Sequence, residues 1–352
     1  MPASMIDWGR AEQTAVRIAE RSPAPSAELD GWNPPIEQIE QQIEDVTGLR
    51  SVEGTATAEL IDRPAWIRAN LTSFQALLTP VLTKLEEQRP KSGLGAGTLS
   101  SLSRQMAGAQ LGALLGWMGT RVLGQYDLLV RRTDATSDGA VYLVGPNLAS
   151  LEQRFGFEPH EFRTWVLVHE LTHRAQFTGV PWMKGYYLSL VESALSSIDP
   201  DPRRLVQALA RAADEFRNGR NPLDDGGLVA LLASDEQRGA LAQVQALMSL
   251  LEGHGNAVMN QLGREHVAGQ ARMARVLQAR RQSTGMAAFL QKLVGLESKM
   301  RQYEVGETFI AAVEREAGPR AIDAAWRGPE FLPTIDELSR PNEWLARVDG
   351  AT

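Results

Sequence analysis

The chain has 352 residues, with 36 Lys and Arg, 43 Asp and Glu, 5 His and no Cys, and a formal net charge of −7 at pH 7. A hydrophobic fraction of 43% and a charged fraction of 22% are typical of a globular protein and exclude intrinsic disorder. The absence of cysteine excludes disulfide scaffolds, thiolate zinc sites, iron–sulfur clusters and cysteine nucleophiles, so a metal ion would have to be held by histidine and carboxylate.

The acidic balance argues against nucleic acid and anionic membranes as partners, because both select basic surfaces. The N-terminal segment also lacks the apolar run of a signal peptide, because charged residues interrupt it at Asp7, Arg10, Glu12 and Arg17. We therefore expect a cytoplasmic protein.

Proline-containing joints at residues 22–25, 33–35 and 63–64 divide the first ninety residues into helical segments. Residues 36–47 carry Ile or Val at steps of three and four, which is the spacing of an amphipathic helix. Residues 66–87 are predicted as another helix.

The Gly/Ser-rich segment 91–100 is predicted as a loop, and it lacks the G-K-[ST] ending of a phosphate-binding loop. The following residues, 101–123, are predicted as a long helix. Gly108, Gly112 and Gly116 recur in it at every fourth position, which lets another helix approach closely. Spanning a bilayer takes about 20 apolar residues, and the uncharged part of this helix is shorter than that. It therefore favours a buried helix over a membrane span.

Two short strands are predicted at residues 126–130 and 140–144, joined by a turn-rich spacer. Helices are then predicted at 159–178, 183–198, 202–217, 226–232, 235–261, 264–281, 286–295 and 298–317. With so few strands, the predicted fold class is mostly α with a small β element, α+β.

One segment, WVLVHELTHRAQF at residues 165–177, carries a chemical signature. His169 and His173 are four residues apart, so on a helix both imidazoles project from one face and can reach one metal ion. Glu170 lies beside the first histidine and can act on water without being a metal ligand. This H-E-x-x-H pattern is typical of zinc metallohydrolases. Arg174 is a departure, because zinc-peptidase helices usually carry an uncharged residue there.

A catalytic zinc ion needs three protein ligands and an open position for water. The candidates for the third ligand are Glu192, Glu252, His254 and His266. Glu192 follows the motif with eighteen residues between, close to the spacing of thermolysin-like enzymes. Glu252 lies in an apolar helical stretch, where a carboxylate is costly to bury unless it is bound or paired. Gly253 and Gly255 would allow a metal or another backbone to approach closely. His254 lies about 200° round the helix from Glu252, so we do not expect both to bind one ion.

Several segments together resemble the zincin-like family of zinc-dependent metalloproteases of actinobacteria and Chloroflexi. They are VHELTHRAQF, the GVPW after it, LLEGHGNAVMN, KMRQYEVGETFIAAV (299–313) and PEFLPTIDELSRPNEWLARV (329–348), and the resemblance runs from about residue 99 to 348. It implies a site of the gluzincin type, with Zn2+ held by His169, His173 and Glu252 and with Glu170 as the general base.

We expect a single zincin-like domain over residues 1–352, in which 1–95 form a helical N-terminal extension and 96–352 carry the metal site, because the third ligand must return from about eighty residues downstream to complete the same site. Members of this family are often labelled as associated with deazaflavin-coenzyme biosynthesis. Nothing in the sequence indicates a deazaflavin site.

The function that follows is a zinc-dependent hydrolase, most simply a peptidase, whose substrate is a peptide or another amide. In zincins a strand edge beside the motif helix pairs with extended peptide, and residues 140–144 are the candidate here. Tyr186, Tyr187 and His254 are candidate donors to the oxyanion.

The alternative is a metal-stabilised scaffold or regulatory binding protein, and the glycine-spaced helix equally suits association into a homo-oligomer. Intact Glu170 and histidines favour the enzyme.

Overall fold

The computed structural model describes residues 5–25, 32–87, 96–129, 140–196, 235–284 and 303–350. These residues are mostly helical with one three-stranded sheet, which confirms the predicted α+β class. The predicted helices at 202–217, 226–232 and 286–295 lie outside the described residues. The chain forms two compact units, Met1–Gln41 with Ser51–Arg174, and Gln42–Arg50 with Ala175–Thr352.

The elements up to the motif helix are α1 (Trp8–Arg21), α2 (Ile36–Thr47), β1 (Ala58–Ile61), α3 (Arg63–Glu87), α4 (Ala96–Gly119), β2 (Gly124–Asp127), β3 (Ala140–Val144), α5 (Gly145–Phe155) and α6 (Pro159–Gly179). After it come α7 (Met183–Ser196), α8 (Asp235–His266), α9 (Gln270–Thr284), α10 (Tyr303–Ala317), short 3-10 helices at Ala321–Trp326, Pro329–Phe331 and Glu337–Ser339, and α11 (Pro341–Asp349). Helices α2 and α6 contribute residues to both units.

Several element bounds differ from the predictions, and proline explains two of the differences. Helix α5 begins at Gly145 and α3 at Arg63, each with a proline as its next residue. Proline is well tolerated in the first helical turn because its fixed φ suits the helix and its missing N–H has no partner there. Helix α4 begins at Ala96, so the predicted loop is wrong over residues 96–100.

The three strands form a sheet in the order β1-β3-β2. Strand β3 pairs in parallel with β1 and antiparallel with β2, so it is the central strand. The prediction that residues 140–144 offer an edge for peptide is therefore wrong. All five of these apolar residues are buried, as is usual for a strand that is covered on both faces.

Helices α1 and α4 cross at very short range, and the spaced glycines allow it. A Cβ at Gly108 would lie 2.2 Å from the Asp7 carbonyl oxygen, and one at Gly112 would lie 2.3 Å from that of Ala11. A Cβ at Gly116 would meet the next turn of α1 at 2.7 Å. The predicted close helix approach is confirmed. Among the described residues, no helix is long and apolar enough to cross a membrane.

In the second unit, α8 crosses α10 backbone to backbone. A Cβ at Gly253 would lie 2.4 Å from the carbonyl carbon of Gly306, and a Cβ at Gly306 would lie 2.0 Å from the carbonyl oxygen of Ser249. The space that Gly253 leaves beside Glu252 is therefore filled by the backbone of α10. A core built around Phe309 and Trp344, whose ring centroids are 5.3 Å apart, supports this pair of helices.

Candidate metal centre

Helix α6 positions both motif histidines because its apolar residues before the motif are buried. Trp165 and Leu167 are 1% and 0% exposed, which fixes the rotation of the helix about its axis. The Nε2 atoms of His169 and His173 are 3.1 Å apart, and their rings meet edge to face with centroids 4.5 Å apart. Both imidazoles thus aim one nitrogen at a common point.

The Glu252 carboxylate lies close to these two nitrogens. Single ligand atoms of His169, His173 and Glu252 all lie within 4.8 Å of one another. Ligands about 2.0–2.2 Å from a tetrahedral zinc ion would be roughly 3.3–3.6 Å apart, so the 3.1 Å between the two histidine nitrogens is close to the separation of zinc ligands. Two imidazoles and one carboxylate, without thiolate, could hold a metal ion, and such a set would be of the catalytic type.

The other candidate third ligands are not part of this group. Glu192 is exposed on α7, and the His266 imidazole contacts the Gln42 side chain at 3.1 Å. His254 is 4% exposed and is engaged by Gln176. Among the described residues, no second group of three His, Asp or Glu side chains has the spacing of a metal site.

Gln176 is a functional candidate that the sequence analysis did not identify. Its Nε2 donates to the Leu251 carbonyl oxygen at 3.1 Å and lies 2.9 Å from Nδ1 of His254. Because an amide NH2 group can only donate, Nδ1 of His254 accepts and the ring carries its proton on Nε2. The signal was available: Gln176 lies three residues after His173, on the same helix face.

Glu170 is 7% exposed, and it lies against the edge strand β2. Its Oε2 accepts a hydrogen bond of 3.0 Å from the backbone N–H of Tyr126. A Cβ at Gly124 would lie 2.7 Å from both Cγ and Oε1 of Glu170. The carboxylate therefore sits where a strand residue without a side chain leaves room for it.

The charged residue after the second histidine has a structural explanation. Arg174 is 1% exposed, and its guanidinium donates to the Glu40 carboxylate and to the carbonyl oxygens of Glu53 and Gly54. These partners satisfy a charge that would otherwise be costly to bury. The departure from the usual motif thus anchors the motif helix to α2 and to the segment after it.

The two candidate oxyanion donors on α7 are held by aromatic contacts. The Tyr186 ring meets Trp182 at a centroid distance of 5.8 Å, and the Tyr187 ring meets Phe177 at 5.6 Å. Burial raises the pKa of both phenols, so each keeps its proton at neutral pH and can donate a hydrogen bond. Their role at the oxyanion stays a prediction.

Comparisons with known proteins agree with this geometry. A solved crystal structure from Chloroflexus aurantiacus, described as "a putative hydrolase with a novel fold", matches with a TM-score of 0.70 and 31% sequence identity, over 98% of this chain and 99% of that one. No curated protein matched significantly. The model of the zincin-like metallopeptidase family matches residues 6–345. The chain therefore belongs to the zincin-like metallopeptidase family.

Proposed function

We propose that this chain is a zinc-dependent peptidase in which His169, His173 and Glu252 hold the metal and Glu170 is the general base. The observation that carries the proposal is the approach of the three ligand atoms to within 4.8 Å, in a family of metallopeptidases. When bound, a zinc ion would make water acidic enough to attack at neutral pH and would polarise the carbonyl of the substrate.

Glu170 has the position and chemistry of the proton carrier. Its carboxylate belongs to the residue next to His169 and lies in a buried setting, yet it is not a member of the ligand group. It would take a proton from the attacking water and pass it to the leaving nitrogen, which completes hydrolysis of the amide. The Tyr126 N–H holds one carboxylate oxygen while this happens.

Strand β2 supplies an edge on which an extended peptide could pair. The Val144 N–H donates to the Leu123 carbonyl, so by the alternation of an antiparallel ladder Gly124 and Tyr126 direct their backbone groups away from β3. This edge lies beside Glu170, as the hydrogen bond from Tyr126 shows. Because the Tyr126 N–H is engaged by Glu170, we infer that Gly124 of β2, in place of β3, carries the backbone pairing that aligns the substrate.

The test is peptide turnover and zinc content of the purified protein beside Glu170→Gln. Loss of the base should lower kcat by roughly 10²–10⁴-fold while the zinc content stays equal to wild type. The matched control is Glu161→Gln, the same change in the first turn of the same helix, which should keep wild-type turnover. Full turnover in Glu170→Gln, or a zinc-loaded wild type that cleaves no member of a diverse peptide library, would contradict the proposal. The second result would favour a metal-stabilised scaffold.

A further inference from the structure

Strand β2 is held on one face by polar contacts from helix α3. The side-chain amides of Gln125 and Asn70 form two reciprocal hydrogen bonds of 3.1 and 3.2 Å. The Ser73 hydroxyl lies 3.1 and 3.2 Å from the two carboxylate oxygens of Asp127. Both links come from alternate residues of the strand, so they fix its position from the side of α3.

The other two residues of β2, Gly124 and Tyr126, meet the motif helix. Tyr126 donates its N–H to Glu170, and Gly124 lies so close to the same side chain that a methyl group would overlap Cγ, Cδ and Oε1 at 2.7 to 2.9 Å. The strand is anchored by α3 and the glutamate is a flexible side chain. A side chain at position 124 would therefore displace Glu170 and leave the strand where it is.

We propose that Gly124 and the Tyr126 amide together form the seat that positions Glu170 for proton transfer. The inference rests on the proposed function, since it assigns a task to residues around the same base. Gly124 is a positioning residue: it touches no reacting atom and acts by leaving space. A hydrogen bond from a backbone amide to a carboxylate is a strong, directional contact, and β2 carries it at a fixed place.

The kinetic test is Gly124→Ala. A shift of the base by about 1 Å is enough to cost about 10²-fold in rate, so we expect kcat to fall by about that factor. KM should stay within about twofold, because the edge of β2 is unchanged. Zinc content and Tm should equal those of wild type. The matched control is Gly239→Ala on α8, where no atom lies within 4 Å of the added methyl group, and it should keep wild-type kcat.

A second readout does not depend on catalysis. Hydrogen exchange of the Tyr126 amide reports the hydrogen bond to Glu170 directly, in the zinc-free protein as well as in the loaded one. It should become faster in Gly124→Ala and in Glu170→Ala, and should stay unchanged in Gly239→Ala. Faster exchange would support the seat even if wild type cleaved no peptide, so failure of the proposed function would be recognised separately.

Three results would overturn the inference. The first is a Gly124→Ala variant with wild-type kcat. The second is unchanged exchange of the Tyr126 amide in both Gly124→Ala and Glu170→Ala. The third is a loss of activity in Gly124→Ala that comes with loss of zinc or a lower Tm, since this would indicate a structural role instead of a positioning one.

Discussion

Arg174 and Glu40 form an ion pair in which a guanidinium nitrogen and a carboxylate oxygen are 2.5 Å apart, with side chains that are 1% and 21% exposed. Burial raises the pKa of Glu40 by more than the neighbouring Arg174 charge lowers it. The pair joins the residue directly after His173 to helix α2. It therefore contributes to holding the motif helix in place.

Replacing Arg174 by Met should be strongly destabilising. The change leaves the Glu40 carboxylate and two carbonyl oxygens without the charge that satisfies them. Removing one partner of a buried pair costs about 3–5 kcal/mol, and the lower end is expected here because Glu40 keeps some contact with water. Urea unfolding at pH 7 measures the loss.

The control for this change is Arg50→Met. Arg50 is 78% exposed in a pair of 3.8 Å with Glu44, so it should cost less than about 1 kcal/mol. Equal stabilities for the Arg174 and Arg50 variants would show that the buried pair does not support the motif helix.

Much of the fold could be predicted because it depends on local patterns. The Ile and Val spacing gave α2 its observed bounds, Ile36–Thr47, and the apolar run of β3 gave Ala140–Val144. Strand β1 was missed because it is only four residues long and pairs with a strand about eighty residues later. The neighbours of β3 are likewise non-local. Only its unbroken apolar run indicated a central strand.

In the candidate site, too, local contacts could be predicted from the sequence and non-local contacts could not. His169 and His173 lie one helical turn apart, so their meeting follows from local geometry. The contact of Glu170 with β2 brings together residues more than forty positions apart, which no periodicity in one sequence encodes. Glycine in a strand often marks the close approach of another group, but the strand was predicted from residue 126, whereas β2 begins at Gly124, so this signal was missed.

Replacing Gly112 by Ala should destabilise the crossing of α1 and α4. The added methyl group would meet the Ala11 carbonyl oxygen at 2.3 Å, and overpacking of this kind costs about 1–3 kcal/mol. This cost should exceed the gain of about 1 kcal/mol from helix propensity. Thermal unfolding measures the result, with Gly239→Ala as the control that gains propensity without a clash. A higher Tm for both variants would contradict the close crossing.

The Glu337 and Arg347 pair near the C-terminus should make stability depend on pH. Burial raises the pKa of Glu337. Hydrogen bonds from Arg347 and the Thr334 N–H, together with the Arg347 charge, lower this pKa by more than burial raises it, so the net pKa is below the ordinary value. The folded state then holds this proton less tightly than the unfolded chain. The stabilisation is present above the unfolded pKa of about 4.3 and is lost as the pH falls through the depressed folded value.

The comparison of wild type with Glu337→Gln isolates this effect. Between about pH 6 and 8 glutamate is ionised in both the folded and the unfolded state, so the difference in free energy of unfolding should be constant there. It should shrink below about pH 4.3. Urea unfolding at several pH values provides the measurement. A difference that grows toward acid pH would have the wrong sign for a depressed pKa.

If Glu252 completes a zinc site with His169 and His173, as we propose, a zinc titration of the metal-free protein tests this most directly. Loss of groups that only orient metal ligands costs about 10–100-fold in affinity, so Glu252→Gln should weaken zinc binding by about 100-fold or more. Glu192→Gln, the same change at an exposed glutamate, should bind as wild type does. Wild-type zinc affinity in Glu252→Gln would contradict the assignment of Glu252 as the third ligand, whatever the result for Glu192→Gln.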